Sequence, residues 1–335
     1  MLMLKKTIAA LSLLSILAAC QNDENPSQPE PKPRQDINLT RAEQEFMDKG
    51  TDFAFRFFDQ VCSTEKEKPN VFVSPLSASL CLSMITNGAT DNTLAEMQNV
   101  LGFPANTFSL DDLNNYNQKL TSALLDLDNT TQLGIANSIW IEEGFKVYDS
   151  FVDVNKKMYD AQVQELDFTS PTAKDVINQW CATQTNNCIK EVIQEIPADA
   201  RMYLINALYF KGIWKSQFDK SATGQDNFTN VDGSQQKVAM MNQTATFNYT
   251  QTDDFSIAEL PYGNEAFSMV ILLPSGDKTL DESLPSLNYE NWKQWSKNMV
   301  GKELQIKLPR FKVEYDKELE EDMITMGMKD AFDPN

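Results

Sequence analysis

The sequence predicts an α+β domain, on three observations. Residues 41–127 carry apolar side chains at helical spacing, residues 133–315 interleave strand-like runs with shorter helical ones, and the 335-residue chain is 41% apolar. That length is enough to bury a core well past marginal size. Early helices followed by strands with further helices do not suit a regular β-α-β alternation. There is no internal repeat.

Each element has its own reason. Residues 41–62 read as a helix, because Phe46, Phe53, Phe57 and Phe58 recur on one face. Ser74-Pro75 is an N-cap followed by proline at the first helical position, so Leu76–Ile85 is a buried helix closing near Gly88. Thr93 and Glu96 form a capping box for a helix that stops at Gly102. Residues 110–127 give a polar-faced helix carrying Leu113, Leu120 and Leu124. Leu133–Ile141 reads as a strand, Val147–Tyr159 as a helix and Val163–Phe168 as an alternating strand. Ser170-Pro171 starts a helix with Val176, Ile177, Trp180 and Cys181 on its buried face. Met202–Phe210 is almost continuously apolar, as befits a strand covered on both faces. Several strand-like runs occupy residues 226–273, of which Ser268–Leu273 is the most apolar. A helix follows at 287–298, with Trp292 and Trp295. Leu304–Tyr315 is then a long strand interrupted at Pro309, and Leu319–Met328 is a short helix.

Ahead of this lies a targeting segment. Lys5 and Lys6 precede an apolar run, Ile8–Ala19, too short for an ordinary transmembrane helix. It ends in Leu17-Ala18-Ala19-Cys20, which resembles a bacterial lipobox. Residues 1–19 are thus expected to be a lipoprotein signal, and Cys20 the acylated N-terminus of the mature chain. Gln21 in place of aspartate suggests an outer-membrane or cell-surface address. Residues 20–40 are expected to form a disordered tether, with Pro26, Pro29, Pro31 and Pro33 among polar residues and no apolar period.

Composition excludes several chemistries. The chain has no histidine, so Ser-His-Asp and Cys-His mechanisms and histidine-ligated metals have no place in it. A formal charge of -19 repels nucleic acid. No cysteine spacing suits a metal, and no cofactor is expected. Beyond Cys20 the cysteines are Cys62, Cys81, Cys181 and Cys188. Cys81 reads as a small buried hydrophobe. Cys181 and Cys188 would stand about 10.5 Å apart along a shared helix, too far to bridge; a bridge is possible only where the helix ends between them, and free thiols are expected. Glu142-Glu143 and Asp253-Asp254 read as solvated turns, not catalytic pairs. Asp126–Asn129 lacks the glycine and distal glutamate of a calcium loop, and Lys211-Gly212 has no phosphate loop before it. No enzyme is expected.

Five stretches carry a resemblance, in order along the chain: Asn70–Ser77, Leu204–Trp214, Val238–Gln243, Leu260–Gly263 with Met269–Pro274, and Leu308–Phe311 followed by Met326-Gly-Met. Together they resemble the serpins, a family of protease inhibitors, from about residue 45 onward. The resemblance implies helices around a large mixed sheet, sheet A, with smaller sheets B and C. Asn206 lies in mid-strand among apolar residues, and burying its amide without partners would cost on the order of 2–7 kcal/mol, so it must be hydrogen-bonded. In serpins the matching asparagine joins hydroxyls at positions matching Ser74 and Ser77, in a shutter under the centre of sheet A. Trp214 and Arg310 match residues of the breach at the top of that sheet, Arg310 standing where lysine is usual. Trp180 and its helix match the helix that lies across the sheet.

Serpins inhibit by being cut. An exposed loop is cleaved, the protease is trapped as an acyl-enzyme, and the loop inserts into sheet A as a new strand. In the family that loop follows the helix matching Met323–Met328 and one further strand, and here Asp333-Pro334-Asn335 closes the sequence. The expectation is therefore an incomplete serpin domain over 41–335, lacking the reactive bond, the last strands and the shutter histidine. Such a chain should not inhibit alone, should fold poorly, and should leave Ser268–Leu273 exposed along an unpaired edge. The expected partners are a serine or cysteine protease and, through the lipid, a membrane; a monomer is expected. The alternative is a non-inhibitory surface binding protein on the same scaffold.

Overall fold

A computed structural model of the chain describes residues 30–333, so the signal segment, Cys20 and the first half of the tether lie outside the described residues. Four helices come first: α1 (Arg41–Thr64), α2 (Pro75–Thr86), α3 (Asp91–Leu101) and α4 (Leu110–Asp126). Thr40 and Glu43 form a capping box on α1, Ser74 caps α2 with Pro75 at its first position, and Ser109 and Asp112 box α4. Phe46, Phe53, Phe57 and Val61 bury one stripe of α1 against α3, α4 and the C-terminal residues Met323 and Met328. The cap of α3 departs from expectation. Thr90, not Thr93, precedes the helix and makes no side-chain cap bond. Glu96 instead accepts the backbone N–H groups of Lys329 and Asp330, at 2.6 and 2.8 Å.

Next come β1 (Gln132–Glu142), α5 (Asp149–Tyr159), β2 (Gln162–Leu166), α6 (Ala173–Gln184) and β3 (Met202–Lys211). The strands form a mixed sheet in the order β2-β1-β3, with β1 parallel to β2 and antiparallel to β3. Side chains alternate across it. Ile139 and Ile141 face Leu80 and Met84 of α2 together with Phe151 of α5, while Trp140, Ile205 and Ala207 face Ile177, Trp180 and Cys181 of α6. Helices thus cover both faces of β3, which accounts for its apolar run. Helix α6 begins after Thr172, and Val176 is 38% exposed, so it does not belong to the buried face expected of it. The helix ends at Gln184, between Cys181 and Cys188, and both thiols are free.

The remaining strands form one antiparallel sheet: β4 (Gly224–Thr229), β5 (Gln235–Gln251), β6 (Phe255–Pro261), β7 (Ser268–Pro274) and, after α7 (Leu280–Ser283) and α8 (Tyr289–Lys297), β8 (Val300–Pro309). The 17 residues of β5 pair with β4 at one end and β6 at the other, and with β8 along most of their length, joining what the resemblance gives as two small sheets. Among the described residues β7 pairs only with β6 and has no buried residue; its Leu273 is 63% exposed. Strand β8 stops at Pro309, short of the expected Tyr315. Arg310 N–H makes a last bond to Ala239, and residues 311–319 then run outside any strand, with no partner strand among the described residues. The short α9 (Glu320–Met326) ends at left-handed Gly327.

The end of the tether is fastened. Lys32 donates its N–H to Asn129 and its ammonium to Asp126, and Asn129 donates its amide to the Glu30 carbonyl. Leu39 packs against the first core. No helix among the described residues is long and apolar enough to cross a membrane.

Candidate functional site

The candidate site lies between α2 and the three-stranded sheet. Position 137 of β1 stands opposite position 206 of β3, and both side chains point to the α2 face. Ser77 donates its hydroxyl to Asn206 Oδ1, and Asn206 Nδ2 donates to Asn137 Oδ1 at 2.8 Å. Asn137 Nδ2 donates to the backbone carbonyl of Tyr159 at 2.7 Å. Ser74 Oγ accepts the N–H of Ser77, so one serine is spent on the helix cap and the other reaches the sheet. All four side chains are buried. The structure brings Ser74, Ser77 and Asn206 together and adds Asn137 and Tyr159. Asn137 carried the signal that singled out Asn206, an amide inside an apolar strand.

The network continues into the helices. Tyr159 donates its hydroxyl to Asn114 Oδ1 at 2.6 Å and accepts from Asn117, and Asn114 donates to Asn87 at the end of α2. Burial pushes the Tyr159 phenol up to about 12, against the pull of neighbouring donors, so it stays protonated and can donate. On the opposite face, Asn178 of α6 accepts the N–H groups of Val192 and Ile193 and donates to the Ile193 carbonyl. It fixes the segment between α6 and β3. Trp180 donates to Gln162 and meets Trp140 edge to face.

Trp214 lies just beyond β3. It stacks on Tyr262 with ring centroids 4.3 Å apart and bridges it through the backbone. Gly212 is required there, since a Cβ would stand 2.6 Å from the Tyr262 ring. The turn after Tyr262 is clamped by buried Asp128. Its carboxylate accepts from the Thr130 amide and hydroxyl, the Thr131 hydroxyl and the Asn264 amide, while Asn264 donates to the Leu127 carbonyl. A Cβ on Gly263, at φ +38°, would overlap Asp128 and Thr130. Sequence reasoning missed this clamp, because Asp128 and Asn264 are remote in the chain. The side chain of Arg310 is exposed and makes no hydrogen bond or ion pair among the described residues, so it is not joined to Trp214.

None of these groups makes a nucleophile-base pair, and among the described residues no group of three or more acidic or cysteine side chains is placed to hold a metal ion. What the cluster can do is exchange hydrogen-bond partners beneath β3. That strand pairs with β1 on one side and with no strand on the other among the described residues.

Comparison with known proteins agrees with this geometry. Residues 48–335 match the family described as serpin (serine protease inhibitor). A serpin-like protein of Methanosarcina acetivorans is 34% identical over 84% of this chain and 66% of its own length. Human serpin B3 is 31% identical over 84% of this chain and 77% of its own. The crystal structure of tengpin, a thermophilic serpin, in its native state superposes with a TM-score of 0.78 at 30% identity, covering 91% of this chain and 76% of that one. The chain thus spans about two thirds of the length of the Methanosarcina relative. With this fold, this buried cluster and these matches, the chain belongs to the serpin family, whose members are protease inhibitors and not enzymes.

Proposed function

We propose that this chain is the strand-receiving body of a suicide-trap inhibitor of serine or cysteine proteases, exported and held at a bacterial outer membrane or cell surface by lipid on Cys20. One observation carries the reading. The Ser77–Asn206–Asn137 cluster lies under the junction of β1 with β3, and the far edge of β3 offers backbone donors and acceptors to an added strand. Strand addition would satisfy that edge and shift the sheet, and amides and hydroxyls can change partners during the shift where apolar side chains would only lose contacts. Trp214 and Arg310 are assigned to the end where the strand enters.

The test is a detergent-stable adduct. Protein isolated from its native membrane should form a covalent complex with a serine or cysteine protease, resistant to denaturing electrophoresis. The absence of any adduct from the native protein with either class would overturn the proposal.

A further inference from the structure

The connection from α4 to β1 is held from two sides at once. From outside comes the tether. Asn129 uses its amide as a neighbouring extended backbone would, accepting the Lys32 N–H at 2.8 Å and donating to the Glu30 carbonyl at 2.9 Å, while the Lys32 ammonium lies 2.7 Å from Asp126. From inside comes the turn that follows β6. The Asn264 side chain donates to the Leu127 carbonyl, and the Asn264 N–H donates to Asp128. The tether thus holds residues 126 and 129, the turn holds 127 and 128, and one conformation of the connection has to serve both. The turn in its place supports the end of β3. Gly263 donates its N–H to the Ile213 carbonyl, Lys215 donates its own to the Pro261 carbonyl, and Tyr262 carries the Trp214 ring.

We propose that residues 30–32 are a releasable strap, whose docking steadies the turn at residues 262–266 and with it the Trp214 end of β3. A segment that binds only the closed form of a loop stabilises that form by its own binding free energy, and the coupling is reciprocal. The strap is light. The Lys32 and Asp126 side chains are 49% and 82% exposed, so water screens their attraction, and Asn129 is exposed as well. Two hydrogen bonds to one amide and a screened ion pair are worth about a fivefold bias on the closed connection, small enough to be let go. The use of the device rests on the proposed reading of Cys20 as anchor and of the Trp214 end as the place of strand entry. On that reading, tension on the tether draws first on Lys32, and the entry end loosens when the strap lifts.

The test is amide hydrogen exchange in the full 335-residue chain. Every N–H from Tyr262 to Ala266 is hydrogen-bonded, so the turn exchanges on opening. Lys32→Pro removes both the N–H and the ammonium from the strap, keeps it extended between Pro31 and Pro33, and alters no residue of the connection. Exchange across residues 262–266 should rise by about fivefold, with exchange in α1 unchanged. Lys32→Arg, which keeps the N–H and the charge, should exchange as the unaltered chain does. Unchanged exchange at 262–266 in Lys32→Pro, or an acceleration that extends equally to α1, would overturn the proposal. No protease enters the measurement, so it decides the coupling separately from the inhibitory reading.

Discussion

Asn206 shows how much one residue can disclose through its sequence neighbours. Its amide stands in an apolar strand, so a buried partner is required, and Ser77 and Asn137 supply it. Asn206→Ala would leave both of those groups without their partner inside the core. A loss of about 2–4 kcal/mol in unfolding free energy is expected from denaturant melts, more than an exposed Asn→Ala would cause. Asn137 was equally legible by this logic. Tyr159, Asn114 and Asn117 were not, because helical asparagines and a tyrosine give no sign in sequence of which neighbour they will meet. Asp128 is the clearest case of a non-local residue. Burial alone would raise its pKa, but the hydroxyl and amide donors of Thr130, Thr131 and Asn264 outweigh it and hold the carboxyl below its ordinary 3.8. A folded pKa below the unfolded one means that the carboxylate's contribution is complete above 3.8 and is lost as pH falls through the lower folded value. Asp128→Asn should therefore lower stability at neutral pH by on the order of 1–3 kcal/mol and flatten the acid limb of the stability profile. Thermal melts across the acid range will show whether it does.

At the scale of elements, the strongest local periodicities were the most legible. The faces of α1 and α2 followed directly from their apolar spacing and from Ser74-Pro75. The capping box assigned to Thr93 and Glu96 failed because Glu96 is engaged by the C-terminal residues Lys329 and Asp330. Val176 falls beside the face that Ala173, Ile177, Trp180 and Cys181 bury, and is exposed. The strand pattern after Pro309 is real in its alternation, yet residues 311–319 have no partner strand among the described residues. That segment is fastened through charge. Lys317 is 11% exposed, Asp322 is fully buried, and Lys317 donates to both Asp322 and Thr64. Thr64 and Gln60 of α1 also donate to Asp322. Lys317→Met leaves the Asp322 charge buried without its cation, which should cost about 3–5 kcal/mol. The loss should register as faster amide exchange in α9 than in α3, since Asp322 is the α9 residue on which Lys317, Gln60 and Thr64 converge.

For the whole molecule, the family and the α+β architecture were legible because five separated stretches keep serpin order, and no single one would have sufficed. The joining of two small sheets through β5 was not, since strand length does not state which partners a strand will find. Membrane attachment is tested at this scale. Cys20→Ser should move the protein from the detergent phase to the aqueous phase in Triton X-114 partitioning, without changing its melting temperature. The docking of Glu30 and Lys32 on the α4–β1 connection then has a geometric meaning. For a protein acylated at Cys20, the ten-residue span from Cys20 to Glu30 sets the leash. Fully stretched, it reaches at most about 35 Å, roughly the thickness of the bilayer's own hydrocarbon layer. Such a protein would work close to the lipid headgroups, leashed from the side on which Glu30 and Lys32 dock.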